Sequence, residues 1–172
     1  MLQPENRGPS ERLLTLKALL EDLLADGRVA AGDLRRLQGL STGVIHPLVF
    51  LAEQKLRDLE NPEQTLDMSA LLRWLSGRSG QAVVEIDPLK INVSEVSEVM
   101  SRAFAERHRI LAVGVNDDDV LIASAEPFQR AWQTNLEHVL RKPIRRVITD
   151  PRDLQRYTAE FYTMAGSVRG AR

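Results

Sequence analysis

Leucines at positions 13, 16, 20, 23 and 24 recur at steps of three and four along ERLLTLKALLEDLLADG. That spacing predicts an amphipathic helix from Glu11 to Gly27, with Gly27 placed as its C-terminal cap. VAAGDLRRLQGL predicts a shorter second helix, entered near Ala30 or capped by Asp33. HPLVFLAEQKL opens a third, with Pro47 in the first turn, where its missing N–H costs nothing. The polar stretch RDLENPEQTLD reads as a loop. DMSALLRWLSGRSG is a fourth helix, with Asp67 as N-cap and Gly77 or Gly80 near its end. No convincing strand occurs before Gly80.

Beyond Gly80 the texture changes. AVVEI is short and β-branched, which predicts a strand. NVSEVSEVMSRAFAERH opens with Asn92 and carries Glu95 three residues on, a capping-box spacing, so one helix is expected with Val93, Val96, Val99, Met100 and Phe104 on its apolar face. RILAVGV and DVLIASA read as strands of a hairpin turned at Asn116, Asp117 and Asp118. PFQRAWQTNLEHVL is the next helix, started by Pro127, and IRRVITD another strand. PRDLQRYTAEFYTMAG closes the series as a helix with Asp150 at N-cap, Pro151 at N1, Asp153 at N3 and Gly166 as a stopping place. The expected class is α+β: a helical bundle over residues 11–80, then a small α/β subdomain of order β-α-β-β-α-β-α over 81–166. Residues 1–10 are expected to be a disordered tail and 167–172 a tail or linker. The loop at Asn61-Pro62 is a rival boundary to Gly80.

Composition narrows the function classes. The chain has 172 residues and no cysteine, which excludes disulfides, thiolate metal sites and cysteine nucleophiles. MLQPENRGPS lacks the apolar core of a signal peptide, and no apolar run reaches the roughly 18 residues of a membrane span. The net charge of −1 gives no overall attraction to nucleic acid. Its distribution is uneven. Residues 1–100 hold 11 Lys/Arg against 15 Asp/Glu, a net of −4, and residues 127–172 hold 9 against 4, a net of +5.

No catalytic constellation emerges. No glycine is followed by lysine, so the G-x-x-x-x-G-K-[ST] phosphate loop is absent. GRSGQ follows a helix and reads as a terminator. His46, His108 and His138 fall on separate elements without metal-ligand spacing and are read as structural or surface residues. Asp117, Asp118 and Asp119 suit a solvated turn, and no G-x-S-x-G elbow exists. VLIASAEPF, Val120 to Phe128, ends a strand in small residues, which suits close helix-on-sheet packing, with Glu126 near a helix N-terminus. The strongest charge feature is RKPIRR. Arg145 and Arg146 alternate faces on a strand, and with Arg141 and Lys142 they form a cationic ridge. That ridge suits an acidic protein surface or a phosphate-rich ligand, or is a plain solvated edge. Nucleic acid is disfavoured because aromatic residues make up only 5%.

Several segments together resemble the N-terminal region of the type II secretion and type IV pilus assembly ATPases, a family that includes the general secretion pathway protein E. They are HPLVFLAEQKLRD, ALLRWLSGRSG with VVEIDPLKI, AERHRILAVGV, VLIASAEPF, VLRKPIRRVITDP and DLQRYTAEFYTMAGSVRGA. They run in the family's order from about Ala18 to Ala171, and sit nearer the secretion ATPases than the pilus motors. The resemblance implies a helical and then an α/β subdomain. It also implies an ATPase core beyond Arg172, the only place ATP would bind, so this chain would be an isolated N-terminal piece or a stand-alone copy, without catalysis or cofactor of its own. The expected partners are the cytoplasmic domain of an inner-membrane platform protein and the ATPase core of the parent chain. The expected location is the cytoplasm, peripheral to the inner membrane through that partner. Neither nucleic acid nor direct membrane insertion is implied.

By position on the helical part, Arg28, Arg35 and Arg36 are the candidate rim charges of that docking face, joined by Arg141, Lys142, Arg145 and Arg146. One branch of the family binds cyclic di-GMP through paired blocks opening Arg-Leu-Gly. The best register places Leu23 and Leu24 on the block's apolar pair, Gly27 on its glycine and Leu34 on a later leucine. The opening then falls on Ala18-Leu19-Leu20, which has neither the arginine nor the glycine, Arg28 replaces an apolar position, and a second block near His46-Pro47-Leu48 also lacks arginine. A cyclic di-GMP sensor is therefore the alternative reading, with its contact residues unknown. An interaction module of an unrelated envelope system is a third.

Overall fold

The computed structural model describes residues 11–170; the expected tail 1–10 and residues 171 and 172 lie outside them. Four helices come first: α1 (Leu16–Ala25), α2 (Ala31–Leu37), α3 (Pro47–Glu53) and α4 (Met68–Ser79). α1 begins later than its leucine pattern suggests. Thr15 caps it by accepting the Ala18 N–H, and Leu16, Leu19, Leu20 and Leu23 face inward. The register of the buried face therefore runs through Leu19 rather than Leu24, which is exposed. α2 enters at Ala30, and α4 is capped by Asp67, whose carboxylate accepts the Ala70 N–H at 2.8 Å. Gly80 closes α4 at φ +73°, a left-handed conformation that favours glycine. These helices surround a core that includes Leu48, Leu51, Leu71 and Leu75, and each fully buried leucine contributes about 2 kcal/mol of transfer free energy.

The second half is built on a four-stranded sheet: β1 (Ala82–Val83), β2 (Ile110–Val115), β3 (Val120–Ser124) and β4 (Ile144–Ile148), in the order β1-β4-β3-β2. β2 and β3 are the expected antiparallel hairpin, whereas β3–β4 and β4–β1 run parallel. The turn is fixed by the Asn116 side chain, which accepts the N–H groups of Asp118 and Asp119 at 2.8 Å. Four helices accompany the sheet: α5 (Val93–Val96), α6 (Arg102–His108), α7 (Ala131–Leu140) and α8 (Pro151–Gly170).

Four further boundaries differ from the sequence reading. The AVVEI strand shrinks to two paired residues, because after the Val84 N–H reaches the Ile148 carbonyl the chain departs into a 3₁₀ turn at Pro88–Lys90. The single helix expected from Asn92 is two. Asn92 does cap its start, but Ser97 turns its hydroxyl back onto the Val93 carbonyl at 2.6 Å, and Ser101 caps a fresh helix by accepting the Phe104 N–H. The Met100 carbonyl, freed from the helix, accepts the Tyr162 hydroxyl of α8. α7 starts at Ala131, not at Pro127, because Pro127 and Phe128 form a turn. α8 continues past Gly166 to Gly170.

Two apolar clusters result. One fills the α/β half with residues such as Ile110, Ile122, Trp132 and Phe161. The other fills the helical half, yet it also takes in Phe128 from the β3–α7 connection and Ile148 from β4. The two halves therefore share side chains across their boundary.

Candidate interaction site

Glu126 sits at that boundary, 3% exposed. Its carboxylate faces the helical half: Oε2 accepts the Leu14 N–H at 2.7 Å, and Oε1 accepts from His46 Nε2 at 2.8 Å. His46 Nδ1 in turn accepts the Leu48 N–H, capping α3. With Nδ1 so occupied, the ring proton lies on Nε2 and points at the carboxylate. One residue thus joins the β3–α7 connection to the first turn of α3 and to the chain ahead of α1. Charge-assisted bonds to a buried carboxylate are among the stronger hydrogen bonds in proteins.

Residues 11–14, read from sequence as the start of α1, instead run beside this connection as a strap. The Arg12 N–H donates to the Phe128 carbonyl and its guanidinium lies 4.6 Å from the Phe128 ring centroid. The Glu11 carboxylate accepts the N–H groups of Arg130 and Ala131, at 2.8 and 3.0 Å, and so caps α7 from 119 and 120 residues away. From the other side, Arg146 donates to the Glu126 carbonyl at 3.0 Å, and Gln81 donates to the Pro127 carbonyl.

Beside Glu126 a cleft of about 710 Å³ opens between the halves. His46 and Val49 line it from the helical half, Ala105 and Leu154 from α6 and α8, and Ala125 and Glu126 from the connection. Val44 and Ile45 form one lip and are exposed, Val44 completely. Arg102, Arg109 and Arg152 stand on the opposite lip. Arg102 pairs with the exposed Glu106 at 2.8 Å, and the largely buried Asp150 holds Arg152 in two bonds at 2.8 and 3.1 Å. Among the described residues Arg109 carries no ion pair.

The sequence-derived candidates do not gather at one place. Arg28 turns inward: it makes a two-pronged pair with the buried Asp58 at 3.0 and 3.1 Å and reaches Glu60 at 3.2 Å. Arg35 and Arg36 are exposed on α2, Arg36 paired with Asp33. Arg141 ends α7 in the left-handed region at φ 57°, and Lys142 donates to the Asn116 carbonyl. Arg145 is exposed near Asp119 at 3.6 Å. Arg146 lies on the opposite face, its guanidinium 4.8 Å from the Trp132 ring centroid, so it takes no part in an exposed ridge. Among the described residues its Nε and Nη1 are buried without a partner, and burial pushes its pKa down to about 10, still charged at neutral pH. At the register proposed for a cyclic di-GMP block, Leu19 and Leu20 are core residues with no access to a ligand.

His46 and Glu126 escaped the sequence reading as a pair because 80 residues separate them. The only local signal was a glutamate before proline at the end of an apolar strand. His108 packs on Phe104 with ring centroids 4.4 Å apart, and burial with the nearby Arg107 lowers its pKa. Among the described residues no group of three or more His, Asp or Glu is placed to hold a metal ion, and no helix is long and apolar enough to cross a membrane.

A helical half is thus clasped to a small α/β half, with an open cleft along the seam. Residues 79–168 match the MshEN domain. The chain belongs to that family, the N-terminal domain of type II secretion and type IV pilus assembly ATPases. It is 37% identical over 158 residues to the type IV pilus assembly ATPase TfpB of Acinetobacter baylyi. That match covers 89% of this chain but 27% of TfpB, so the chain spans about a quarter of its relative. Among solved structures, MshE with cdg superposes with a TM-score of 0.56 at 17% identity, covering 87% of this chain and 99% of that one. The N-terminal domain of XpsE gives 0.52 at 15% identity, covering 86% and 96%. At those identities the likeness is one of fold.

Proposed function

We propose that this chain is the non-catalytic adaptor of a type II secretion or type IV pilus ATPase, docking a cytoplasmic motor onto its inner-membrane platform. The observation that carries the reading is the buried Glu126 junction, which ties the helical half to the α/β half through Leu14 and His46. A domain that must hand displacement from a motor to a platform needs its two parts coupled, and a hydrogen-bonded buried carboxylate couples them at low compliance. The family supports the motor side of this reading. The sequence segments favour a secretion system, and TfpB shows that pilus motors carry the same domain.

The alternative, a cyclic di-GMP sensor, draws on MshE, which was solved with cdg. It loses support where Ala18 stands in place of the block's arginine and Leu20, in place of its glycine, is buried in the core. The test is retention of the platform protein's cytoplasmic domain on the immobilised chain, with calorimetry against cyclic di-GMP in parallel. The adaptor reading expects the platform domain to be retained. No retention, or cyclic dinucleotide binding at micromolar affinity or tighter, overturns it.

A further inference from the structure

The cleft beside Glu126 has a composition that its role as a seam does not require. Its floor is apolar and buried, supplied by Val49, Ala105, Ala125 and Leu154. One lip displays Val44 and Ile45 to solvent, where two adjacent β-branched apolar side chains gain nothing for the fold. The other side presents Arg102, Arg109 and Arg152, with the Glu106 carboxylate beside Arg102. The exposed Arg102–Glu106 pair contributes little and is readily exchanged for another carboxylate, whereas Asp150 holds Arg152 in two bonds at 2.8 and 3.1 Å. Among the described residues Arg109 has no such pair to give up.

We propose that this cleft seats an amphipathic helical segment of a partner protein, apolar on one face and acidic on its flank. Its apolar residues cover Val44, Ile45 and the floor, and its carboxylates meet Arg109 and Arg102. Charge complementarity selects an acidic segment. The walls select a helix, because α3, α6 and α8 border the cleft and no strand edge is offered for pairing. Both halves contribute, so an occupant bridges them across the Glu126 junction. The proposal rests on the adaptor reading only in supplying the surface through which such docking would occur.

The probe is a fluorescein-labelled helical peptide with leucines at every third and fourth position and glutamates on the flank, compared with its lysine counterpart by anisotropy. The glutamate peptide is expected to bind the whole chain at least about tenfold more tightly than the lysine peptide, with the difference shrinking as salt is raised. Val44→Asp and Arg109→Glu should each weaken it about tenfold. Val139→Asp, at an exposed position on α7 outside the cleft, should not. All three positions are exposed, and unchanged urea midpoints establish that the variants remain folded.

Equal binding of the two peptides overturns the proposal, as does indifference to Val44→Asp and Arg109→Glu. Displacement of the peptide by cyclic di-GMP marks a nucleotide cleft instead, and a self-associated form dissolved by Val44→Asp marks a second copy of the chain as the occupant. A platform domain retained equally by wild type and both cleft variants sinks the cleft but leaves the adaptor reading standing. Selective peptide binding with no platform domain retained does the reverse.

Discussion

Replacing Glu126 by alanine removes the acceptor of two buried hydrogen bonds at once, and both partners stay where they are. The Leu14 N–H, 2.7 Å from Oε2, and His46 Nε2, 2.8 Å from Oε1, are left facing a void. Bonds to a charged acceptor contribute about 1.5–3 kcal/mol each, and a buried donor left unmet costs about 1–3 kcal/mol. The expected loss is therefore about 4 kcal/mol, a large part of the roughly 5–15 kcal/mol of a whole domain. With a urea dependence of about 2 kcal/mol per molar, the midpoint falls by about 2 M. Glu126→Gln should cost roughly half as much, since its amide keeps one acceptor but turns an N–H toward a donor. The decisive readout is the double-mutant cycle with His46→Ala. A Glu126→Ala loss below about 1 kcal/mol, or coupling to His46 below about 0.5 kcal/mol, refutes the account of this junction.

Other expectations follow from the same geometry. Arg28→Ala should destabilise the chain by about 3 kcal/mol in urea, because it strands the buried Asp58 carboxylate. The Arg28 hydrogen bonds hold the Asp58 pKa below its ordinary 3.8, so the associated stability is present above that value and is lost as pH falls through the lower folded one. The acid limb of a stability–pH curve, below about pH 4, should accordingly be shallower in Asp58→Asn than in wild type. Arg146→Met should be neutral or stabilising within about 1 kcal/mol, since the guanidinium is desolvated without a carboxylate and leaves two buried donors unmet. Glu11→Ala should cost about 1 kcal/mol and speed amide exchange in the first turn of α7, a residue far away in sequence.

Much of the local structure was legible because its causes are local. Asp67, Asn92, Gly80 and the Asn116 turn act within a few residues of themselves, and each does what its type and position suggest. The break between α5 and α6 was harder. Ser97 and Ser101 sit four apart in a stretch whose apolar spacing suits one continuous helix, and only the pull of Tyr162 on the Met100 carbonyl shows why the chain gives it up. The start of α7 was misplaced for a related reason. Pro127 is a normal helix opener, but here Phe128 is drawn into the other half's core and Glu11 supplies the cap three residues later. The cationic ridge does not form as one surface, because β4 alternates and Arg146 emerges on the face that Trp132 covers. Arg28 was read as a rim charge because nothing nearby in sequence announces Asp58, 30 residues on.

The edge strand β1 gives the molecule a mechanical character. Gly80 and Gln81 alone separate the last helix of one half from β1, and β1 lies parallel to β4 with Ala82 opposite Val147 and Val83 opposite Ile148. Tension carried out of α4 along the chain is thus applied lengthwise to the β1–β4 pair. Bonds loaded in shear must fail together, whereas a peeling edge gives way one bond at a time. With the Gln81 side chain fastened to Pro127 on the next segment, the shortest covalent route between the halves behaves as a stiff tether, and rocking of one half against the other would have to hinge elsewhere.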